Sequence, residues 1–429
     1  MKIWRKIYWD ILWKIRKRTI WLKKWSVPQN YRRKIRQLSQ SNEKIKVVFL
    51  VSQSQKWNGN SLYHMLKADS RFSPVVLYAP RYEHTNLDLD AGAEYRFFVE
   101  RGYHCAVISS GAELRSHKPD IVFYQQPWGF LFGDLDPIYV SQYALCLYFP
   151  YSIATSIGVS RVWGICSLFF KTLYCQFVYN TAVVEQFRAK GVFNTIATGH
   201  PKMDAYREPV KTNPWKNKEG FKIVYAPHHS FEKSLLKWGT FGWNGRELLE
   251  WAKAHPETEW IFKPHPQFHF SIINESNIMN ESELDEYYAG WNTVGAIYTQ
   301  GDYFDIFRTA DLLITDCGSF LTEWLPTEKP CIHLLSAKEI PNSRSFVHEK
   351  SSRHYYKIKN LEELYATLEM LVVRREDPLA AARIRDAKKI PMDSAKNIHQ
   401  WLVEMLWGEI DKTTGIMIYD NNHEKIVAP

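Results

Sequence analysis

The chain has 429 residues, 45% apolar and 24% charged, with a formal net charge of +9. These values fit a globular protein with a sizeable core and about two to four domains. Residues 1–40 hold thirteen Lys/Arg and one acid, a net +12 against +9 for the whole, so the other 389 residues carry −3. That balance excludes a basic nucleic-acid-binding body. The six cysteines, Cys105, Cys146, Cys166, Cys175, Cys317 and Cys331, form no CxxC pair. Their spacing suits neither a zinc site nor a disulfide framework, and a reducing cytosol is expected.

The basic segment begins "MKIWRKIYWDILWKIRKRTIWLKKW". It has no uninterrupted apolar stretch of signal-peptide type and no run of about 20 apolar residues to span a bilayer. At helical spacing Ile3, Ile7, Ile11 and Ile15 share a face, with Trp4 and Tyr8 beside them and Arg5, Lys6, Arg16 and Lys17 opposite. Lys14 and Arg18 intrude on the apolar side, and Trp9 and Trp13 fall outside it. Trp-rich cationic helices suit the headgroup layer of an anionic membrane. Residues 1–40 are therefore expected to hold the protein at the cytoplasmic face of the cell membrane as a peripheral protein. A helix packed on the body, or one that binds a partner, is the alternative. "SLFFKTLYCQFVY" is too short to span, contains Lys171, and reads as core.

"KIKVVFLVS" (44–52) reads as a strand buried on both faces. Further strands are predicted in "PVVLYAP" (74–80), "HCAVISS" (104–110), "DIVFYQQ" (120–126), "CLYFPY" (146–151), "CQFVYN" (175–180) and "NTIATGHP" (194–201). "REPVKTNPWKNKEG" (207–220) interrupts the series as a polar linker. The alternation restarts with "FKIVYAPHH" (221–229), "EWIFKPHP" (259–266), "VGAIYTQ" (294–300), "DLLITDCGS" (311–319) and "PCIHLLS" (330–336). Helical patterns follow from Asn360, and the tail after Asp411 is polar. Strands alternating with helices predict α/β architecture with parallel sheets. The expected organisation is the basic segment 1–40, a Rossmann-like domain 45–206, the linker 207–220, a second Rossmann-like domain 221–380 and C-terminal helices and tail 381–429, with an interdomain cleft.

In the second domain three predicted strands end in "APHHS", "KPHP" and "TDCGS". All strand ends of one parallel sheet face the same side, where ligands of such sheets bind. His228, His229, His265, Asp316 and Ser319 would converge there. Gly318 permits a tight turn, and Ser319 would open the next helix, either as a plain N-cap or as part of a phosphate cradle. Thr315 and Asp316 belong to the same strand end. Glu323, one turn on, is placed to accept hydrogen bonds from a ribose diol, or is a solvated helix residue. Two DxD triplets, 88–90 and 134–136, lie in loops of the first domain, and no metal site is assigned to them. No cofactor is firmly implied, a divalent metal included.

"IVYAPHHS", "WIFKPHP" and "DLLITDCGSFLTEWLPTEKPCIHL", together with "TGHPKMD" (198–204), resemble the CDP-glycerol:glycerophosphotransferase family over roughly residues 45–380. The family builds teichoic acid and capsule polymers on a scaffold similar to GT-B glycosyltransferases. The resemblance implies that His265 serves donor pyrophosphate and catalysis, that Ser319 holds donor phosphate, and that Glu323 matches an acidic position. Cys317 and Gly318 replace the family's Tyr and first Ser. The family's Trp-His-Gly histidine, its proposed base, is missing from "CLYFPYS". His228 and His229 then become the base candidates, since imidazole titrates near neutrality, with Tyr148 and Tyr151 as acceptor-side positioning groups.

The resemblance implies transfer of glycerol phosphate, or another alditol phosphate, from a CDP-activated donor to a hydroxyl of a lipid-linked or growing surface glycan, releasing CMP. Two other readings stay open. One is a GT-B glycosyltransferase using a nucleotide sugar in surface polysaccharide synthesis. The other is an inactive membrane-docked partner of a polysaccharide assembly complex.

Overall fold

The computed structural model describes residues 26–80, 91–127, 133–153, 167–216, 219–234, 236–299, 303–339, 346–408, 417–419 and 425–427, with Lys14, Arg18, Thr19 and Leu22. The chain divides into two units, residues 1–204 with 391–429, and residues 205–390. Each unit is built on one parallel sheet.

In the first unit the strands are β1 (Ile45–Val51), β2 (Phe72–Tyr78), β3 (Cys105–Val107), β4 (Ile121–Tyr124), β5 (Leu145–Tyr148), β6 (Cys175–Val178) and β7 (Thr195–Ala197). They lie in the order β3-β2-β1-β4-β5-β6-β7. Sequence order runs outward from β1 in one direction, then resumes with β4 on its other side. In β1 every residue except Lys46 is buried, as expected of a central strand covered on both faces.

The second unit repeats the plan with β8 (Phe221–Ala226), β9 (Thr258–Phe262), β10 (Gly295–Ile297), β11 (Leu312–Thr315), β12 (Cys331–Leu334) and β13 (Tyr356–Ile358), ordered β10-β9-β8-β11-β12-β13. Alternate residues of one strand enter two different cores. Ile223 and Tyr225 join one cluster, whereas Val224 and Ala226 join the other. This is a doubly wound sheet, with apolar layers on both sides. The twelve predicted strands correspond to β1–β12. Among the strands of the two parallel sheets, only β13, three residues with the half-buried Tyr356 and exposed Lys357, carries too little apolar signal to be read.

Of the basic segment, residues Ser26–Ser39 form a helix of the first unit. Its buried face is Val27, Tyr31, Ile35 and Leu38, at helical spacing. The Tyr31 hydroxyl donates to the Thr172 carbonyl at 2.9 Å, and Lys34 pairs with Asp120 at 2.7 Å. The rest of the amphipathic segment expected over 1–40, residues 1–25, lies mostly outside the described residues, and Leu22 is 61% exposed. No helix among the described residues is long and apolar enough to cross a membrane.

The helix Ser394–Trp407 belongs to the first unit, although residues 381–429 read as a separate C-terminal region. Its stripe of Ile398, Trp401, Leu402, Met405 and Leu406 is buried, with Trp401 against Phe177 at 5.0 Å. Asp204 accepts from the backbone N–H groups of Ser394 and Ala395, both at 2.8 Å. The aspartate of "TGHPKMD" is thus a cap for a distant helix. Gly199 of the same stretch has φ +83°, and a Cβ there would meet the Pro391 carbonyl oxygen at 3.1 Å. Asp204→Ala is expected to cost about 1–2 kcal/mol, as loss of a helix cap does. Urea denaturation of the variant checks this, and an unchanged midpoint would refute it. In the polar tail, Met417–Tyr419 and Lys425–Val427 pair antiparallel.

Candidate functional site

Strand order in the second sheet reverses between β8 and β11. Ligands of open parallel sheets bind outside the carboxyl ends at such a reversal. The chain places its polar residues there. β8 runs into Pro227, His228 and His229, β9 into Lys263, Pro264 and His265, and β11 into Asp316–Ser319. The His265 backbone N–H donates to the Pro227 carbonyl at 3.1 Å, which locks two of these loops together.

The three histidines meet. Ring centroids lie 4.6 Å apart for His228 and His229, 5.1 Å for His228 and His265, and 4.1 Å for the stacked His229 and His265. One ring nitrogen from each lies within 4.8 Å of the others. Their hydrogen bonds set the neutral tautomers, because a backbone N–H can only donate. His228 Nδ1 accepts from the Ser230 N–H at 3.2 Å and His265 Nδ1 accepts from the Gln267 N–H at 3.1 Å. Both rings therefore carry their proton on Nε2.

His229 is set the other way. The Ser271 hydroxyl donates to Glu275 at 3.0 Å, leaving its oxygen to accept from His229 Nδ1 at 3.4 Å. His229 then keeps a lone pair on Nε2. The cluster offers two N–H donors and one acceptor. A divalent cation takes imidazole through a lone pair, with N–H on the other nitrogen. His228 and His265 present the opposite arrangement, which suits an oxyanion.

Asp316 and Thr315 hold this geometry. Asp316 is fully buried and accepts from the His228 N–H at 2.6 Å, the Thr240 N–H at 2.7 Å and the Thr240 hydroxyl at 2.8 Å. Thr315 donates to the Ala226 carbonyl at 2.6 Å and accepts from the Cys317 N–H at 3.0 Å. The expectation that they contact the donor directly is corrected: their polar atoms tie strand ends together, so they are positioning residues. Ser319 is half-buried in the first turn of the helix Gly318–Trp324, 3.3 Å from the Cys317 sulfur. Glu323 of that helix is fully buried, and its carboxylate accepts from the Tyr303 hydroxyl. Burial and the neighbouring Glu323 charge raise the Tyr303 pKa well above its ordinary value.

Two residues escaped the sequence reading. Lys263 is 7% exposed, with its ammonium 4.6 Å from the Tyr303 ring centre and 5.4 Å from that of Phe320. Tyr303 bonds Glu323. The lysine sits inside the quoted "KPHP", where the histidine drew the weight. Tyr303 lies before a short helix, with no spacing to mark it.

In the first unit, Tyr148 is a core residue of β5, 2% exposed, with Phe169 and Phe170 ring centres at 5.7 and 5.5 Å. Its ring is enclosed by the core, so the expected acceptor-side role is withdrawn. Tyr151 is half-buried beyond the strand end, with the Lys56 ammonium 5.3 Å from its ring centre. In the 134–136 triplet, Asp136 accepts from the Ile138 N–H at 3.0 Å and Asp134 from the Gly111 N–H. Both carboxylates hold backbone. The 88–90 triplet lies outside the described residues.

Burial pushes the His229 pKa down from 6.5 to about 4 and that of the first unit's His200 to about 3. The folded state resists protons that the unfolded chain accepts. This contribution is complete above pH 6.5 and is lost as the pH falls through the interval toward 4 for His229 and toward 3 for His200. The expected slope is about 1.4 kcal/mol per pH unit for each histidine. Urea titrations between pH 7 and 4.5 measure it. His200→Gln should lose its share of the slope, and an unchanged slope would sink the assignment.

No family model matches the sequence, and no curated protein matches it. Solved structures do. The UDP-GlcNAc 2-epimerase of Neisseria meningitidis bound to UDP-GlcNAc superposes with a TM-score of 0.57 at 11% identity, covering 84% of this chain and 100% of that one. S. aureus MnaA with UDP gives 0.56 at 12% identity, covering 84% and 97%. The UDP-GlcNAc 2-epimerase of Methanocaldococcus jannaschii gives 0.52 at 13%, covering 84% and 99%. At these identities the likeness establishes the fold, two Rossmann-like domains of GT-B type. It also overturns the resemblance to CDP-glycerol:glycerophosphotransferases, for which no family match exists. Three of the peptides that carried it are strand ends around the reversal of the second sheet, and "TGHPKMD" follows the edge strand β7 of the first. They report a shared architecture and leave the substrate open.

Proposed function

We propose that this chain is an enzyme acting on a nucleotide-activated sugar, with the donor diphosphate at the reversal of the second sheet. The observation that carries this reading is the pair of Nε2–H groups on His228 and His265 at the ends of β8 and β9, with Ser319 following the neighbouring strand β11. These groups would bind the diphosphate oxygens. The ribose hydroxyls are assigned to Glu323, where a sugar hydroxyl would replace that of Tyr303. The likeness of fold to proteins solved with UDP and UDP-GlcNAc supports a uridine nucleotide.

The reaction we favour is glycosyl transfer. An acceptor hydroxyl attacks the anomeric carbon, the bond from that carbon to the diphosphate oxygen breaks, and the hydroxyl proton passes to His229 Nε2, a weaker base than an ordinary imidazole because burial lowers its pKa. The nucleoside diphosphate leaves, its added charge met by His228 and His265. Positioning and preorganised donors supply the rate in such a step. Epimerisation of the sugar is the second reading, favoured by the fold of the epimerases. The two differ in product: a free nucleoside diphosphate, or an isomeric nucleotide sugar.

A thermal-shift panel of UDP-glucose, UDP-GlcNAc and GDP-mannose on the wild type and Ser319→Ala tests the site. Ligand at about 100 times its Kd stabilises the folded state by about 2.7 kcal/mol. A shift lost in the variant is the expected result. No shift with any nucleotide sugar would defeat the reading and favour an inactive assembly partner.

We also assign residues 1–25 to the surface of an anionic membrane, where an acceptor glycan on a lipid carrier would be met. Sedimentation with vesicles containing phosphatidylserine is expected to pull down the full chain and to fail after deletion of these residues. Equal sedimentation of the deleted protein would refute the assignment.

A further inference from the structure

The first sheet has its own reversal, between β1 and β4. The polar residues around it are buried to an unusual degree: Ser52, Gln53, Ser54 and Asn58 after β1, and Gln125 and Gln126 after β4. The two glutamines are each 1% exposed. Gln125 Oε1 accepts from the Asn58 N–H at 3.0 Å, which fixes the amide orientation, since that donor can only give. Gln126 Oε1 accepts from the Ser52 hydroxyl. The Tyr151 N–H donates to the Gln125 carbonyl at 3.0 Å, and the Asn58 side chain donates to the Tyr151 carbonyl. Three strand ends are thereby tied together through the glutamine oxygens and backbone.

The nitrogen ends of both side chains are different. Neither Gln125 Nε2 nor Gln126 Nε2 has a hydrogen-bond partner among the described residues. A buried amide donor left so costs the folded protein about 1–3 kcal/mol. Native structures meet most such donors with protein groups, ordered water or a ligand. The place is also the one where a parallel sheet binds its ligand. Two uncharged donors suit a ligand with hydroxyl or carbonyl oxygens. The buried Glu94 carboxylate, which accepts from the Ser54 N–H, offsets the charge of Lys56 on the same loop, so no excess of positive charge favours an anion.

We propose that the first unit binds an uncharged sugar ring at the carboxyl ends of β1 and β4, with Gln125 and Gln126 donating to its oxygens. This site stands independently of the donor site assigned to the second unit.

Saturation-transfer NMR on the full chain tests it, with glucose and N-acetylglucosamine as probes and inorganic phosphate as competitor. Transfer to the wild type is expected, and Gln125→Met and Gln126→Met should each weaken binding about tenfold. Gln125→Met also strips the Asn58 N–H of its acceptor and is the variant more prone to unfold. Gln126→Met releases only a rotatable serine hydroxyl, so it keeps the test sound if the first variant fails to fold. Absence of transfer from both sugars to the wild type would overturn the proposal, as would transfer undiminished in Gln126→Met. Displacement by phosphate would show an anion site and overturn it too. Loss of the signal in His265→Ala would place the sugar in the second unit and equally overturn the proposal.

Discussion

Asp316→Ala is expected to lower the unfolding free energy by about 3–5 kcal/mol, the largest loss from any single substitution around the histidines. The carboxylate is fully buried and accepts three hydrogen bonds, from His228 N–H, Thr240 N–H and the Thr240 hydroxyl. Bonds to a charged acceptor are worth about 1.5–3 kcal/mol each and do not add fully. Alanine leaves all three donors buried without an acceptor. Asp316→Asn retains one oxygen and loses the charge, so it should fall between the two. Urea denaturation of the three proteins gives the order. Equal midpoints for Asp316→Ala and wild type would show that the site relaxes around the loss, and that Asp316 does not organise it. Nucleotide-dependent stabilisation should vanish with the alanine variant as well, because the His228 loop loses its anchor.

His265→Ala is the second large effect, and it falls on chemistry rather than stability. The ring is half-buried, and its Nε2–H is one of the two donors assigned to the departing diphosphate. Deleting one preorganised donor of this kind costs about 10²–10³ in kcat. The thermal midpoint should move little by comparison. Turnover of the responding UDP-sugar, read as nucleoside diphosphate released, decides the matter. Full turnover in His265→Ala would remove this histidine from the reaction. A rise in KM with unchanged kcat would make it a binding group for the ground state only.

The fold was legible because long apolar runs such as "KIKVVFLVS" and "DLLITDCGS" can only be covered strands, and their alternation with helices allows few topologies. Strand ends then located the histidine cluster without any contact information. Three kinds of feature were hidden. β13 is too short and too polar to rise above its surroundings. The Tyr303–Glu323 bond and the Lys263 ammonium depend on side chains folding back across the site, which no periodicity encodes. The tautomers of His228, His229 and His265 depend on serine, glutamine and backbone partners up to 42 positions away in sequence. The resemblance failed for a related reason: peptides such as "APHH" and "KPHP" mark where a sheet receives its ligand, and the choice of ligand rests on neighbours outside them.

The return of Ser394–Trp407 to the first unit sets an order of events during synthesis. Residues 205–390 form a contiguous unit that has all of its chain when residue 390 leaves the ribosome. The first unit, although it starts earlier, must wait for its last helix and for the capping contact with Asp204. A nascent chain halted just past residue 390 would therefore carry a finished second unit and a first unit with the Phe177 side of its sheet still uncovered. The usual rule that the N-terminal domain matures first is reversed here, and the exposed interval belongs to the half of the molecule made first.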